Sequence, residues 1–273
     1  MIIDMHIHFC VNNEEEYHEK LNELLKYAEE NGVVMMGLIG CLGGNKWVAK
    51  AFNEVPDKVF GYAMIDMDHE PPEIVDQYHE TGFKGLKVIL TDKNYDDPSY
   101  FPFYEKAMLH DMIVLFHTGV IGGPYDYLLN EKSAMMVDAK VALERLKGKS
   151  SARMRSIYLD TIANTFPDLK IIGAHLGWPE YLVSCAIARW RCNVYFDISG
   201  GEVVRRHIIS GGYIGQEISL NKLVFGTDSS LEKMSYEITE WRNALRTQGF
   251  SDEDIRKIFY ENAAKLLGLE VEV

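Results

Sequence analysis

Four histidines and one aspartate stand where strands should end. His6 and His8 close an apolar run at 2–8, His117 closes one at 112–117, and His175 closes one at 170–175. Asp228 directly follows a run at 222–227. Side chains at i and i+2 of a strand share a face, so His6 and His8 can both point toward one ion. Neutral imidazoles with a carboxylate suit zinc first, with manganese, iron or nickel as alternatives; calcium and magnesium want mostly oxygen. One divalent ion is expected, and a second is left open. A lone strand-end histidine is more often structural, but five such residues in register across four strands point to a metal. His18, His69, His79, His110 and His207 have no such register and are expected in helices or loops.

Positioning these residues needs a particular frame. Eight short β-branched or apolar runs occur, at 2–8, 33–39, 59–65, 83–89, 112–117, 170–175, 193–198 and 222–227. Most begin about 25–30 residues after the one before, the length of one βα unit. Several are apolar on both faces, as parallel strands covered by helices are. Eight units without a break predict a (β/α)8 TIM barrel in a single domain over 1–273, whose strand ends converge on one mouth. Between the runs, 14–31 carries Leu21, Leu24, Leu25 and Ala28 at helical spacing, with Asn31-Gly32 as the stop. Near the end, Ser251 and Asp254 form an expected capping box, followed by a buried stripe through Ile255, Ile258, Phe259, Leu266 and Leu267. One interval breaks the rhythm: the insertion at 119–168 after the fifth strand, with Gly122-Gly123-Pro124 and an amphipathic stretch at 135–147. At the mouth of a barrel it either covers substrate or only adds helical packing. Its Arg145, Arg153 and Arg155 are read as solvated charges, any one of which could bind a carboxylate.

Composition narrows the partners. The formal charge is −13, from 28 basic and 41 acidic side chains. Nucleic acid and anionic membranes would be repelled at long range, so neither is expected as a partner. The longest apolar stretch, at 33–39, falls short of the ~18 residues that span a bilayer. With no basic leader at the N-terminus, the expected location is cytoplasmic. Cys10, Cys41, Cys185 and Cys192 form no CxxC pair and are expected as reduced thiols, mostly buried. Cys10 stands apart because it lies two residues past His8 on the same strand face. A small-molecule substrate is the expected partner; a homodimer is compatible, though no interface can be read.

The ordered motifs resemble the amidohydrolase superfamily, in the branch of metal-dependent barrel hydrolases and non-oxidative decarboxylases. They are Ile3-Asp4-Met5-His6-Ile7-His8, Gly82-Phe83-Lys84-Gly85-Leu86-Lys87, Phe116-His117-Thr118-Gly119 and Ile172-Gly173-Ala174-His175-Leu176-Gly177. Phe196-Asp197-Ile198-Ser199-Gly200, Phe225-Gly226-Thr227-Asp228 and Glu261-Asn262-Ala263-Ala264-Lys265-Leu266 continue the resemblance nearly to the C-terminus. It implies that His6, His8, His117 and Asp228 bind one metal and that His175 stands beside it as a polarising or proton-transferring group. Two positions depart from relatives. Lys87 occupies the place of a carbamylated, metal-bridging lysine in binuclear relatives, but in a mononuclear context, which makes it a candidate substrate-binding cation, with plain strand-end structure as the other reading. After His175 the chain reads Leu176-Gly177-Trp178-Pro179, without the glutamate that many decarboxylases of the branch carry. Trp178 becomes a candidate apolar wall of the pocket.

The chemistry expected from this set is hydrolysis. A bound divalent metal with an open position lowers the pKa of its water to roughly 7. Asp228 would take the water's proton, and His175 would polarise a carbonyl or protonate a leaving group. The expected substrate is a small, carboxylated ester, lactone or amide. The alternative keeps the site but changes the bond, as a decarboxylase or hydratase. A non-catalytic binding barrel is the third reading, and the complete ligand set disfavours it.

Overall fold

The computed structural model describes residues 1–271 except 42, 124, 129, 133–143 and 145. Arg145 and most of the amphipathic stretch at 135–147 therefore lie outside the described residues. Eight parallel strands follow one another in chain order around one sheet. They are β1 (Ile2–Phe9), β2 (Val33–Gly40), β3 (Val59–Met64), β4 (Gly85–Val88), β5 (Ile113–Phe116), β6 (Lys170–Gly173), β7 (Val194–Asp197) and β8 (Leu223–Val224). Helices lie between them, so the chain forms the expected (β/α)8 barrel. In the insertion, Tyr125–Asp126 and Glu131–Lys132 pair as a short antiparallel hairpin.

The barrel is nearly closed, and its seam explains one difference from expectation. The eighth run reads as a strand over 222–227, yet only Leu223–Val224 pairs regularly, with Phe196 and Asp197 of β7. Beyond it the chain turns its hydrogen bonds to β1. Met5 N–H donates to the Phe225 carbonyl at 3.0 Å, and Asp228 N–H donates to the His6 carbonyl at 2.8 Å. Between those two bonds the Asp4 carboxylate replaces a ladder carbonyl: it accepts from Thr227 N–H at 3.0 Å and the Thr227 hydroxyl at 2.8 Å. A side chain thus satisfies a buried backbone donor that β pairing leaves open. The run has strand composition throughout, but a mixed seam has no signature in hydrophobic pattern.

Alternation sorts each strand into an inner and an outer face. Leu86, Val114, Phe116, Ile171 and Phe225 pack outward into the layer beneath the helices. Ile3, Met5, Tyr62, Ile113, Leu115, Ile172 and Val224 fill the barrel. Below them Tyr260, Ala263, Ala264 and Leu266 of the C-terminal helical segment close the floor. That segment starts at the capping box of Ser251 and Asp254. It is held to the last strand by Asn262, whose amide donates to the Leu220 and Leu223 carbonyls at 2.8 Å each. The first helix, α1 (Glu14–Asn31), buries Leu21, Leu24 and Ala28 and ends at Gly32 with φ 68°, a left-handed stop that glycine adopts without strain.

One glycine fixes the top of the barrel. Gly119, two residues after His117, has φ 104°, and a Cβ there would overlap the Trp178 carbonyl. Its backbone bridges two segments: Gly119 N–H donates to Met154 at 3.0 Å, and Val120 N–H donates to Trp178 at 3.1 Å. Gly119→Ala meets strain and a backbone clash together, so it should cost about 3 kcal/mol. A lowered Tm in thermal unfolding would show it; an unchanged Tm would mean that the two loops part freely.

Candidate metal centre

The strand ends bring the sequence-predicted residues together at one end of the barrel. His6 and His8 reach it through an irregularity. The pairing of β1 with β2 shifts register between Asp4 and Ile7. Met5 faces the barrel interior while Ile7 and Phe9 face the helices. The parity change leaves both His6 and His8 on the inner side above Met5, a use of strand irregularity common beside functional sites. Nε2 of His6 lies 3.6 Å from Asp228 Oδ1, and Nε2 of His8 lies 3.4 Å from the same oxygen. His175 approaches the other oxygen, its Nε2 3.5 Å from Asp228 Oδ2. The His117 ring packs edge-on to His175 at 5.0 Å.

Asp228 and His175 hold left-handed backbone conformations, with φ 42° and 58°, that non-glycine residues seldom adopt. Such conformations cost about 1–3 kcal/mol and persist where surroundings over-determine them. Here each N–H is pinned: Asp228 to the His6 carbonyl, and His175 to the Asp197 carboxylate at 2.8 Å.

Asp197 is the residue that sequence reasoning missed. It ends β7 on the inner face and is fully buried. One carboxylate oxygen lies 2.8 Å from His6 Nδ1; the other accepts from His175 N–H and from Ser199 N–H at 3.0 Å. Ser199 in turn lies 2.9 Å from His175 Nδ1. Burial alone would raise the Asp197 carboxyl, but His6, His175 and Ser199 outweigh it and hold it well below the usual carboxylate range. An Asp197 carboxylate accepting from Nδ1–H fixes the His6 tautomer, so that Nε2 is unprotonated and can serve as a metal ligand. The available signal was a carboxylate at the C-terminal end of an apolar strand, the same signal that singled out Asp228.

Electrostatics leave the centre with neutral imidazoles and one unusual carboxyl. Burial, with Lys87 nearby, pushes His6 down to about 3. Burial likewise pushes His175 down to about 4 and holds His117 well below its ordinary range. Burial lifts Asp228 to about 7, against the pull of Lys87. Lys87 itself is wholly buried on β4, with Nζ 3.0 Å from His6 Nε2, and burial lowers it to about 8. It makes no ion pair among the described residues.

The donor set fits a divalent transition metal. Ligand atoms of His6, His8 and Asp228 lie within 4.8 Å of one another. His117 Nε2 and Asp228 Oδ1 are buried without a hydrogen-bond partner, which a folded interior rarely tolerates unless something else binds there. Trp178, on the turn after His175, is partly exposed, and its indole N–H is also unpartnered. Arg155 instead forms a fork with Glu180 at 2.7–3.0 Å. The thiols differ from expectation. Cys10 and Cys41 are bonded to each other, Cys185 is buried and Cys192 is exposed. Adjacent parallel strands end side by side, which brings Cys10 and Cys41 to a Cα separation of 5.0 Å; chain spacing does not reveal that.

A barrel with imidazoles and a carboxylate converging at its strand ends defines a class of metal-dependent enzymes. The chain matches the amidohydrolase family model over residues 3–269 and belongs to that family. No curated protein matches it in sequence. Among solved structures it is similar to 2,6-dihydroxybenzoate decarboxylase from Rhizobium, with TM-score 0.63, 16% identity and 98% of each chain covered. It is also similar to 4-oxalomesaconate hydratase from Rhodopseudomonas palustris, with TM-score 0.66, 16% identity and coverage of 98% of this chain and 96% of that one. A third is 5-carboxyvanillate decarboxylase from Novosphingobium aromaticivorans with bound manganese, with TM-score 0.65, 15% identity and coverage of 98% and 97%. No helix among the described residues is long and apolar enough to cross a membrane.

Proposed function

We propose that this amidohydrolase is a metal-dependent lyase that removes CO2 from, or adds water to, a small carboxylated substrate. Lys87 carries the reading. A fully buried ammonium with no carboxylate of the described residues within 4 Å is costly, and a substrate carboxylate would supply one. The relatives' names support the same chemistry, since two are decarboxylases and one is a hydratase.

In this reading His6, His8, His117 and Asp228 hold one divalent ion, zinc or manganese before iron or nickel. When bound, the ion supplies Lewis-acid polarisation of a substrate oxygen. The chain's own groups do the rest. Lys87 binds the carboxylate and fixes its orientation. Asp228 and His175, 3.5 Å apart, hold and move the proton that goes to carbon. Trp178 borders the pocket, and its unpartnered N–H offers a donor to substrate. Asp197 is a positioning residue: Asp197→Asn should loosen the His6 tautomer and weaken metal affinity about 10–100-fold, read by competition with a chelating dye. Unchanged affinity would remove Asp197 from the scheme.

Hydrolysis is retained as a second reading on one observation: Trp178, not a glutamate, directly follows His175-Leu176-Gly177. Metal-loaded protein incubated with hydroxybenzoates and unsaturated dicarboxylates separates the two. Released CO2 or hydrated product supports the lyase, whereas turnover confined to esters, lactones or amides refutes it. Lys87→Met should raise KM about 10–100-fold for carboxylated substrates, the loss expected for one charged hydrogen bond. An unchanged KM would show that the carboxylate binds elsewhere.

A further inference from the structure

Beside the centre described above lies a second donor set. Cys10 follows the end of β1 and Cys41 follows the end of β2, both at the same end of the barrel as His8. A ligand nitrogen of His8 and the two sulfurs lie within 4.8 Å of one another, and all three residues are partly exposed. His8 is therefore common to two clusters, with Nε2 3.4 Å from Asp228 Oδ1 and a ring nitrogen near the two sulfurs.

We propose that Cys10, Cys41 and His8 form a second cation site, for a thiophilic divalent ion, whenever the two sulfurs are reduced. Two thiolates and one imidazole are a zinc-type donor set with one position open. Thiolates select zinc or cadmium over manganese or magnesium, whereas the imidazole and carboxylate centre admits harder ions. The two sites therefore differ in preference while sharing one side chain. A disulfide sulfur carries no charge and is a poor ligand, so disulfide and ion are mutually exclusive. Opening the S–S bond takes two electrons and two protons: a dithiol supplies both and leaves as a disulfide, whereas a phosphine supplies the electrons and leaves as its oxide, with water giving the oxygen and the protons. Binding of the divalent ion then releases the two thiol protons to solvent. The site does not rest on the lyase reading.

The test is anaerobic titration of the reduced, reductant-free full chain with Cd2+, in a Cys185→Ser, Cys192→Ser background. Ultraviolet thiolate-to-cadmium absorption and elemental analysis are the readouts. The reduced protein should bind two equivalents and show the charge-transfer band, with His8 passing to the sulfur site and the other ion left to His6, His117 and Asp228. The oxidised protein should bind one equivalent without the band, a comparison that needs no change at the site. Cys41→Ser should behave as the oxidised form does. Asp228→Asn, which damages only the other cluster, should keep the band. Absence of the band from reduced protein, or its persistence in Cys41→Ser, would overturn the proposal. Failure of the lyase reading would appear in product analysis and leave this absorption untouched.

Discussion

Asp228→Asn should lower turnover by about three to four orders of magnitude and leave the barrel folded. The fold should survive because asparagine is among the few residue types that accept the left-handed backbone Asp228 adopts at φ 42°. The bond that anchors this position, from Asp228 N–H to the His6 carbonyl, is a backbone bond and does not depend on the side chain. What is lost is the charge and the proton-carrying oxygen. Both carboxylate oxygens face imidazoles, Oδ1 toward His6 and His8, and Oδ2 toward His175. An amide presents one oxygen and an NH2 that would point at an imidazole nitrogen, so it can neither complete the charge nor accept the proton. Rates should be measured at saturating metal, with far-ultraviolet circular dichroism as the control on folding. Activity within tenfold of the parent would show that the proton passes through another group, with His175 the next to test.

The frame of this centre was readable because barrel strands announce themselves. Each apolar run is long enough to bury both faces, and each terminal histidine interrupts an apolar pattern at the point where the strand must leave the core. Three features were not readable, each for its own reason. Asp197 ends its strand as Asp228 does, but its bond to His6, which gives it a role, spans 191 positions. Asp4 closes the barrel by binding Thr227, and nothing in spacing tells a seam-closing carboxylate from a surface one. Cys10 and Cys41 meet because β1 and β2 pair in a shifted register, which periodicity does not determine. Sequence therefore identified the imidazoles and Asp228 that end strands. Residues that bond across strands emerged only with the coordinates.

That same burial fixes how the centre should respond to acid. Metal binding at the four proposed ligands competes with protons, and the groups that carry those protons set the slope. Were the three imidazoles ordinary, with pKa near 6.5, acid would load several protons at once and affinity would collapse steeply. Burial instead holds His6 near 3 and His117 well below its ordinary range, so they stay neutral in mild acid. Asp228 is displaced the other way, up to about 7. A carboxyl raised to that value is protonated below it and must lose one proton before an ion can bind. Affinity should accordingly be flat above pH 7 and fall about tenfold per pH unit just below it, as Asp228 takes up its proton. Competition titrations against a chelator of known affinity would give that slope. A value near one assigns the proton to a single carboxyl, while a value of two or more would mean that imidazoles take up protons as well. In Asp228→Asn the one-proton slope should vanish, which ties the acid response to the same side chain as turnover.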